Sequence, residues 1–477
     1  MKRLKSLYVV LLALIIVSCN STTNKKATIE TGENGVAILS DEQIEEIVKR
    51  SYQYVAMYNV NNKTALTKEG ITTGGYNKGL KMTELLDHEV KLLARPNNDV
   101  LYQTVMVDLR KDAFVIEIPA MESKYVSLLT GSYDHYVQIP LSTVEGDFQE
   151  ALTILLYTER TEGYKGGKIE GIDETYEMTG DFVQATFRVM PHADEPERFK
   201  RVIEQINELK WMTLSEFLGK PAPKIDDVEF PPYGTTDADI FENNLLEVMQ
   251  FVFNHTTFDP DFELDREVLA VYEPLGIVPG KEYNPDKAVK IDGKKFREIS
   301  IKIRDEELAK FNNPEVMGRL LPTLFQPKGT EGLESLLLPS VVGPFGMPAK
   351  EAMYPPVIAE DGAMLNAQND YVIRMTKNEM PPAKAFWSFT LYDAENGFFI
   401  PNEYKKYSVG ENAGMKLNAN GGIEIYIAAK KPNGVPAENW LPIERKDLDM
   451  NMVLRLYAPD LEKMKNWTAP KAVKIKE

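Results

Sequence analysis

The chain has 477 residues, 72 acidic against 55 basic, with a formal net charge of −17 and a single cysteine. That excess of carboxylates excludes a nucleic-acid binder that works by neutralising phosphates, and one cysteine excludes an internal disulfide framework. An apolar content of 43% over this length is enough to fill two or more cores.

Lys2, Arg3 and Lys5 precede an apolar run from Leu7 to Val17, which is short for a membrane span and ends at Ile16-Val17-Ser18-Cys19. This resembles a bacterial lipoprotein signal, in which Cys19 would be acylated and become the first mature residue. The alternative is a signal anchor with an incidental cysteine. If Cys19 carries lipid, no thiol nucleophile remains, and an acidic body leaves the acyl chains as the membrane attachment. Residues 1–19 are thus expected as a signal peptide and 20–39 as a polar tether. No acidic run follows Cys19, which favours the periplasm-facing side of the envelope.

The folded chain opens on Ser40-Asp41-Glu42-Gln43, a capping box, with Ile44, Ile47, Val48, Tyr52 and Val55 at helical spacing behind it. This predicts a helix over 41–58. At Arg95-Pro96-Asn97-Asn98-Asp99 the residue types specify a turn, with Pro96 biasing Arg95 toward extended backbone. A strand follows, with Leu101, Gln103, Val105, Val107 and Leu109 on one face and Val100, Tyr102, Thr104, Met106 and Asp108 on the other. Asn97, Asn98 and Asp99 either cap the turn or form a polar cluster beside a pocket. Strand patterns recur at 113–118, 125–130, 135–139, 151–158 and 182–189, punctuated by Gly and Pro, which predicts an antiparallel sandwich across 40–190.

Pro196 stands at a first helical position, and Phe199, Val202, Ile203, Ile206 and Leu209 make one stripe. Further helices are expected at 237–254, 264–272 and 295–311, so 191–340 reads as a helical insert and linker. From Tyr354 the period returns to two, at 371–375, 385–393, 422–428 and 451–457, with a hairpin signal at Asn418-Ala419-Asn420-Gly421. Residues 341–477 then form a second antiparallel sandwich. The expected fold class is multidomain and mainly β.

Asn97-Asn98-Asp99-Val100-Leu101-Tyr102, then Asp108-Leu109, Pro119 and Tyr125, resembles the signature of the domain-of-unknown-function family DUF1254, with Ile277-Val278-Pro279-Gly280 similar to its closing segment. The C-terminal run resembles the companion family DUF1214 through Tyr354-Pro355, Asp361-Gly362, Pro381-Pro382, Ala385-Phe386-Trp387-Ser388, Tyr392-Asp393 and Asn439-Trp440-Leu441-Pro442. The resemblance implies two jelly-roll-like regions joined by helices and brings no activity with it. Residues 164–180, Gly- and Glu-rich, depart from the family pattern.

His88, His135, His192 and His255 are far apart and lack metal-ligand spacing. No nucleophile elbow, P-loop or EF-hand loop occurs, and Ser388 lies mid-strand. No cofactor and no metal are signposted. The catalytic candidates are Asp99, Asp134 and His135, acids and a base near turn ends. The ligand-binding candidates are Asn97, Asn98, Tyr102, Tyr392, Asn439 and Trp440, aromatic groups beside polar amides. Trp387 is assigned to the core and Trp440 to an exposed loop. Three readings stand: an envelope lipoprotein binding a small polar or carbohydrate-like ligand, a hydrolase of a carbohydrate or envelope component with an Asp acid/base, and a structural module without a ligand. The partners implied are a small molecule or glycan and the membrane through lipid alone, with no nucleic acid. Oligomeric state is left open.

Overall fold

The computed structural model describes residues 29–475, apart from 33, 69, 92–94, 312, 330 and 331; Cys19 and the start of the tether lie outside them. Among the described residues no helix is long and apolar enough to cross a membrane. The rest of the expected tether is docked rather than free: Ala37 is buried, and its N–H bonds Lys290 O at 2.8 Å.

The capping box forms as its chemistry requires, with Gln43 N–H on Ser40 Oγ at 3.3 Å and Ser40 N–H on Gln43 Oε1 at 2.9 Å. The helix it starts runs Asp41–Leu66, past the expected end, because Asn61, Asn62 and Ala65 stay buried in the last turns. Helices Asp237–Asn243, Leu245–Asn254, Glu263–Tyr272, Gly293–Phe311 and Leu333–Val342 gather with it around one core that includes Val48, Val55, Phe241, Val248 and Phe296. The single helix expected over 237–254 is two, since Asn244 leaves helical backbone at φ −153° and its side-chain amide bonds Pro232 O.

The first sandwich packs a five-stranded sheet on a four-stranded one. The larger runs Lys78–Lys81, Leu101–Asp108, Phe182–Val189, Val126–Gly131, Val137–Ser142 in spatial order, all antiparallel. Leu101, Val105, Val107, Val183, Ala185 and Phe187 point from it toward Phe114, Ile116, Ile154 and Leu156 of the smaller sheet, and helix Pro196–Glu208 closes that core with Val202 and Ile206. The alternation read from 100–109 holds, and buried Gln103 donates its amide to Met82 O at 2.9 Å, while its Oε1 has no hydrogen-bond partner.

In the second sandwich, strands Ala383–Asp393 and Asp449–Pro459 pair antiparallel along most of their length. Trp387, Phe389, Leu391, Met452, Leu454 and Leu456 face inward onto Ile373, Ile423, Ile425 and Ile427 of the other sheet. Ser388, Thr390, Tyr392, Arg455 and Tyr457 therefore lie on the outer face. The 418–421 turn forms, with Gly421 N–H on Asn418 O, but it leads into strand Ile423–Ala428 without a paired strand before it. Val100, Tyr125, Leu129 and Met190 of the first domain pack on Ala352, Ala385, Phe386 and Tyr457 of the second, so the two sandwiches share an apolar contact. The chain is multidomain and mainly β, as its periodicity indicates.

Candidate functional site

The turn at 95–99 docks onto the outer face of the second sandwich. Arg95, expected extended, has φ +52°, and its N–H bonds Gly397 O at 2.6 Å. A residue before proline in this region is strained, so the bond across the domains holds a geometry that the local sequence disfavours. Asn97 serves both readings of the turn. Its Oδ1 accepts from Asp99 N–H at 2.8 Å, and its Nδ2 donates to Tyr457 OH at 2.6 Å and Tyr102 OH at 3.3 Å. Asn98 is half-buried and its Oδ1 has no hydrogen-bond partner.

Asp99 is shut away, 1% exposed, and accepts from Ser388 Oγ at 2.5 Å. Burial pushes its carboxyl above the ordinary carboxylate range, while Arg455 and the Ser388 and Ser408 hydroxyls pull it back. Arg455, itself buried, donates to Thr390 Oγ1 at 2.9 Å, to Tyr392 OH at 2.6 Å and to Arg95 O at 3.3 Å. Burial opposes its charge, but Tyr392, Tyr457 and Asp99 outweigh this and raise its pKa. Tyr392 passes the network back to the turn by donating to Pro96 O at 2.6 Å, and its phenol is pushed up to about 12, chiefly by burial. Asn97, Asp99, Ser388, Tyr392, Arg455 and Tyr457 thus join two domains through polar contacts.

Tyr102 carries this network onto the first sheet. The alternate residues of three neighbouring strands face the same way, so Tyr102 pairs with Arg188, Thr104 with Thr186 and Met106 with Gln184. The Arg188 guanidinium lies 5.8 Å from the Tyr102 ring, and the two threonine hydroxyls meet at 3.0 Å. Gln184, Thr186 and Arg188 of this face line a cavity whose other walls include Met57, Leu129, Val137, His135 and Phe325, with 344–346 over it. Its free space is ≈ 20 Å³, room for about one water. Arg188 and Arg455 were not singled out from the sequence. The signal was available: each is a lone cation inside a strand whose neighbours on both sides are apolar.

Asp134 and His135 belong to a different part of the molecule from Asp99. Asp134 is 0% exposed, and burial raises its pKa against the opposing charge of Lys328. His135 has φ +67°, and its ring nitrogens meet Ser340 Oγ at 2.9 Å and Pro344 O at 2.8 Å. Burial depresses its pKa to about 4. Asn439 and Trp440 also stand apart from the turn. Asn439 clamps Lys416 through both its N–H and its carbonyl, and Trp440, expected in an exposed loop, is 6% exposed and donates to Ala428 O at 2.8 Å. The reason is a parallel pairing of Trp440–Pro442 with Ile423–Ala428. Of the aromatic candidates, Tyr102 and Tyr392 therefore join Asn97 and Asp99, and Trp440 does not. Among the described residues no three His, Cys, Asp or Glu side chains gather as a metal site would need.

No curated protein matches the chain. The crystal structure of the VPA0106 protein from Vibrio parahaemolyticus is similar, with a TM-score of 0.69 at 21% identity over 91% of this chain and 100% of that one, a likeness of fold. An uncharacterized protein from Burkholderia cenocepacia aligns at a TM-score of 0.42 and 13% identity, over 91% of this chain and 94% of its own. Two family models described as proteins of unknown function match within the chain, DUF1254 over residues 76–209 and DUF1214 over residues 351–461. The first spans the docking turn and the polar sheet face, and the second spans the strands that receive the turn. By these two matches, in this order along one chain, the protein belongs to the two-domain DUF1254/DUF1214 family.

Proposed function

We propose that this protein is a lipid-anchored envelope protein that binds a small polar ligand on the polar face of its first sheet, beside the junction with the second domain. One observation carries the reading. Tyr102, Thr104, Gln184, Thr186 and Arg188 occupy the covered face of a central sheet, with Gln184, Thr186 and Arg188 buried. A sheet face at that depth is ordinarily filled with apolar groups, because burying polar ones costs free energy unless each is satisfied. The rival reading, a hydrolase using Asp99 or Asp134, lacks such support, since the two residues are 1% and 0% exposed.

The binding reading is tested by thermal shift of the full-length protein against sugars, amino acids and small carboxylates, repeated on Thr186→Val. A ligand should raise Tm in the natural protein and less in the variant. If no compound shifts Tm and Thr186→Val raises stability, the face is structural and the reading fails. The envelope assignment is tested by Cys19→Ser, which should abolish labelling by palmitate and release the protein from the membrane fraction. Unchanged labelling would refute it.

A further inference from the structure

Arg188 is a buried cation without an anion. The residue is 6% exposed, its Nη2 donates to Phe345 O at 2.6 Å, and its Nη1 has no hydrogen-bond partner. Among the described residues no carboxylate stands within ion-pair distance of it. A buried guanidinium left open on one side is unfavourable, and the arrangement is relieved when an anion completes it. The same residue lines the cavity over the polar sheet face, so its unpartnered nitrogen belongs to a side chain that borders the free space.

The other walls narrow the chemistry. Met57, Leu129, Val137 and Phe325 are apolar, which suits a hydrocarbon substituent and not a sugar ring bristling with hydroxyls. One cation balances one negative charge. A phosphate dianion would need further donors, and among the ionisable lining residues His135 is held neutral over most of the pH range, with its ring nitrogens already engaged.

The roof explains how a ligand larger than a water could enter. Gly343-Pro344-Phe345-Gly346 has glycine at both ends, and its two central carbonyls are held by His135 Nε2 and Arg188 Nη2. Gly346 lies so close under Phe325 that a Cβ there would sit 2.0 Å from the ring. Only glycine fits the closed form, and two polar contacts fasten it.

We propose that this cavity, enlarged when the 343–346 strap is displaced, takes a monocarboxylate with a short apolar substituent, its carboxylate on Arg188 Nη1 and its chain against Met57, Leu129 and Val137. The inference rests on the binding reading above and specifies its ligand. The probes are butyrate, its neutral isostere butyramide, inorganic phosphate and glucose, measured by titration calorimetry on the full-length protein, Arg188→Lys and Arg188→Gln. Butyrate should bind at one site. Butyramide and phosphate should bind at least about tenfold more weakly, and Arg188→Gln should weaken butyrate by roughly tenfold to a hundredfold, with Arg188→Lys between. Equal affinity for butyrate and butyramide, or tighter binding of phosphate, overturns the carboxylate assignment while the binding reading stands. Glucose binding that Arg188→Gln leaves unchanged does the same. Failure of every probe, with a crystal structure placing only water on Nη1, overturns both. Should Arg188→Gln not fold, the comparison of butyrate with butyramide in the natural protein decides alone.

Discussion

Asn97 and Tyr457 are hydrogen-bonded, side-chain amide to phenol at 2.6 Å, although 360 positions separate them. The Tyr457 ring stacks on Phe386 with centroids 4.1 Å apart and meets Tyr125 at 5.2 Å, so this bond fastens the turn to the aromatic contact between the sandwiches. Asn97→Ala removes it together with the Asx bond to Asp99 N–H. The variant should lose about 2–4 kcal/mol of unfolding free energy, and Tyr457→Phe, which keeps the ring, about 1 kcal/mol. Urea titration followed by circular dichroism gives both values; two neutral variants would show that the bond is incidental.

Stability should fall with acid through His135. Its pKa is depressed from 6.5 to about 4 by burial, so the unfolded chain binds the proton more readily. Its contribution is therefore full above pH 6.5, is lost as pH drops toward 4, and amounts to about 3 kcal/mol. His192 is depressed to about 4 as well, chiefly by burial, and keeps its own share. Asparagine tolerates the φ of +67° at position 135, so His135→Asn is the fitting control. The gap in unfolding free energy between natural protein and variant should close by about 3 kcal/mol between pH 7 and pH 4. A gap independent of pH would mean that the imidazole is not neutral in the native state.

Arg455 is the least replaceable member of the junction. A lysine has one nitrogen where the guanidinium reaches Thr390, Tyr392 and Arg95 together. Arg455→Met leaves buried Asp99 without the cation whose charge offsets its burial and should cost about 3–5 kcal/mol. Arg455→Lys should recover part of that. Differential scanning calorimetry should also resolve two transitions in Arg455→Met if the network couples the sandwiches, against a single transition retained if it does not.

Gly79 offers a test of packing away from the junction. A Cβ there would lie 2.1 Å from the Trp211 ring. Gly79→Ala must displace the indole and should cost about 1–3 kcal/mol, with a shifted tryptophan emission. Unaltered emission and stability would show that the edge strand yields instead.

Much of the scaffold is legible in the order of residue types. The faces of 101–109 and 387–391 follow from alternation alone, because each strand has one face on a dry core. What escapes is whatever depends on register between distant strands. Trp440 looks like a loop residue until its parallel neighbour at Tyr426 is known. Arg188 stands out in sequence as a lone cation between Phe187 and Val189, but that it lies beside Tyr102 depends on the register, and Asn244 breaks a helix whose apolar spacing continues unbroken. The turn at 97–99 shows the same limit: its residues were read as caps or as a cluster, and Asn97 is both, since its amide has two ends.

The placement of Arg455 and Tyr457 on the last long strand, interior to its sheet, has a consequence for biosynthesis. At about 5–20 residues per second, Asn97 is made roughly 20–70 s before the tyrosine that lies 360 positions on. From its own synthesis until Asp449–Pro459 is made, roughly 3–13 s at that rate, strand Ala383–Asp393 lacks its main partner, and Trp387, Phe389 and Leu391 lack the flanking Met452, Leu454 and Leu456. A product terminated before Asp449 keeps that hydrophobic edge open for good. Such fragments should be insoluble substrates for quality-control proteases, whereas a reporter fused after residue 475 should mark chains that have closed.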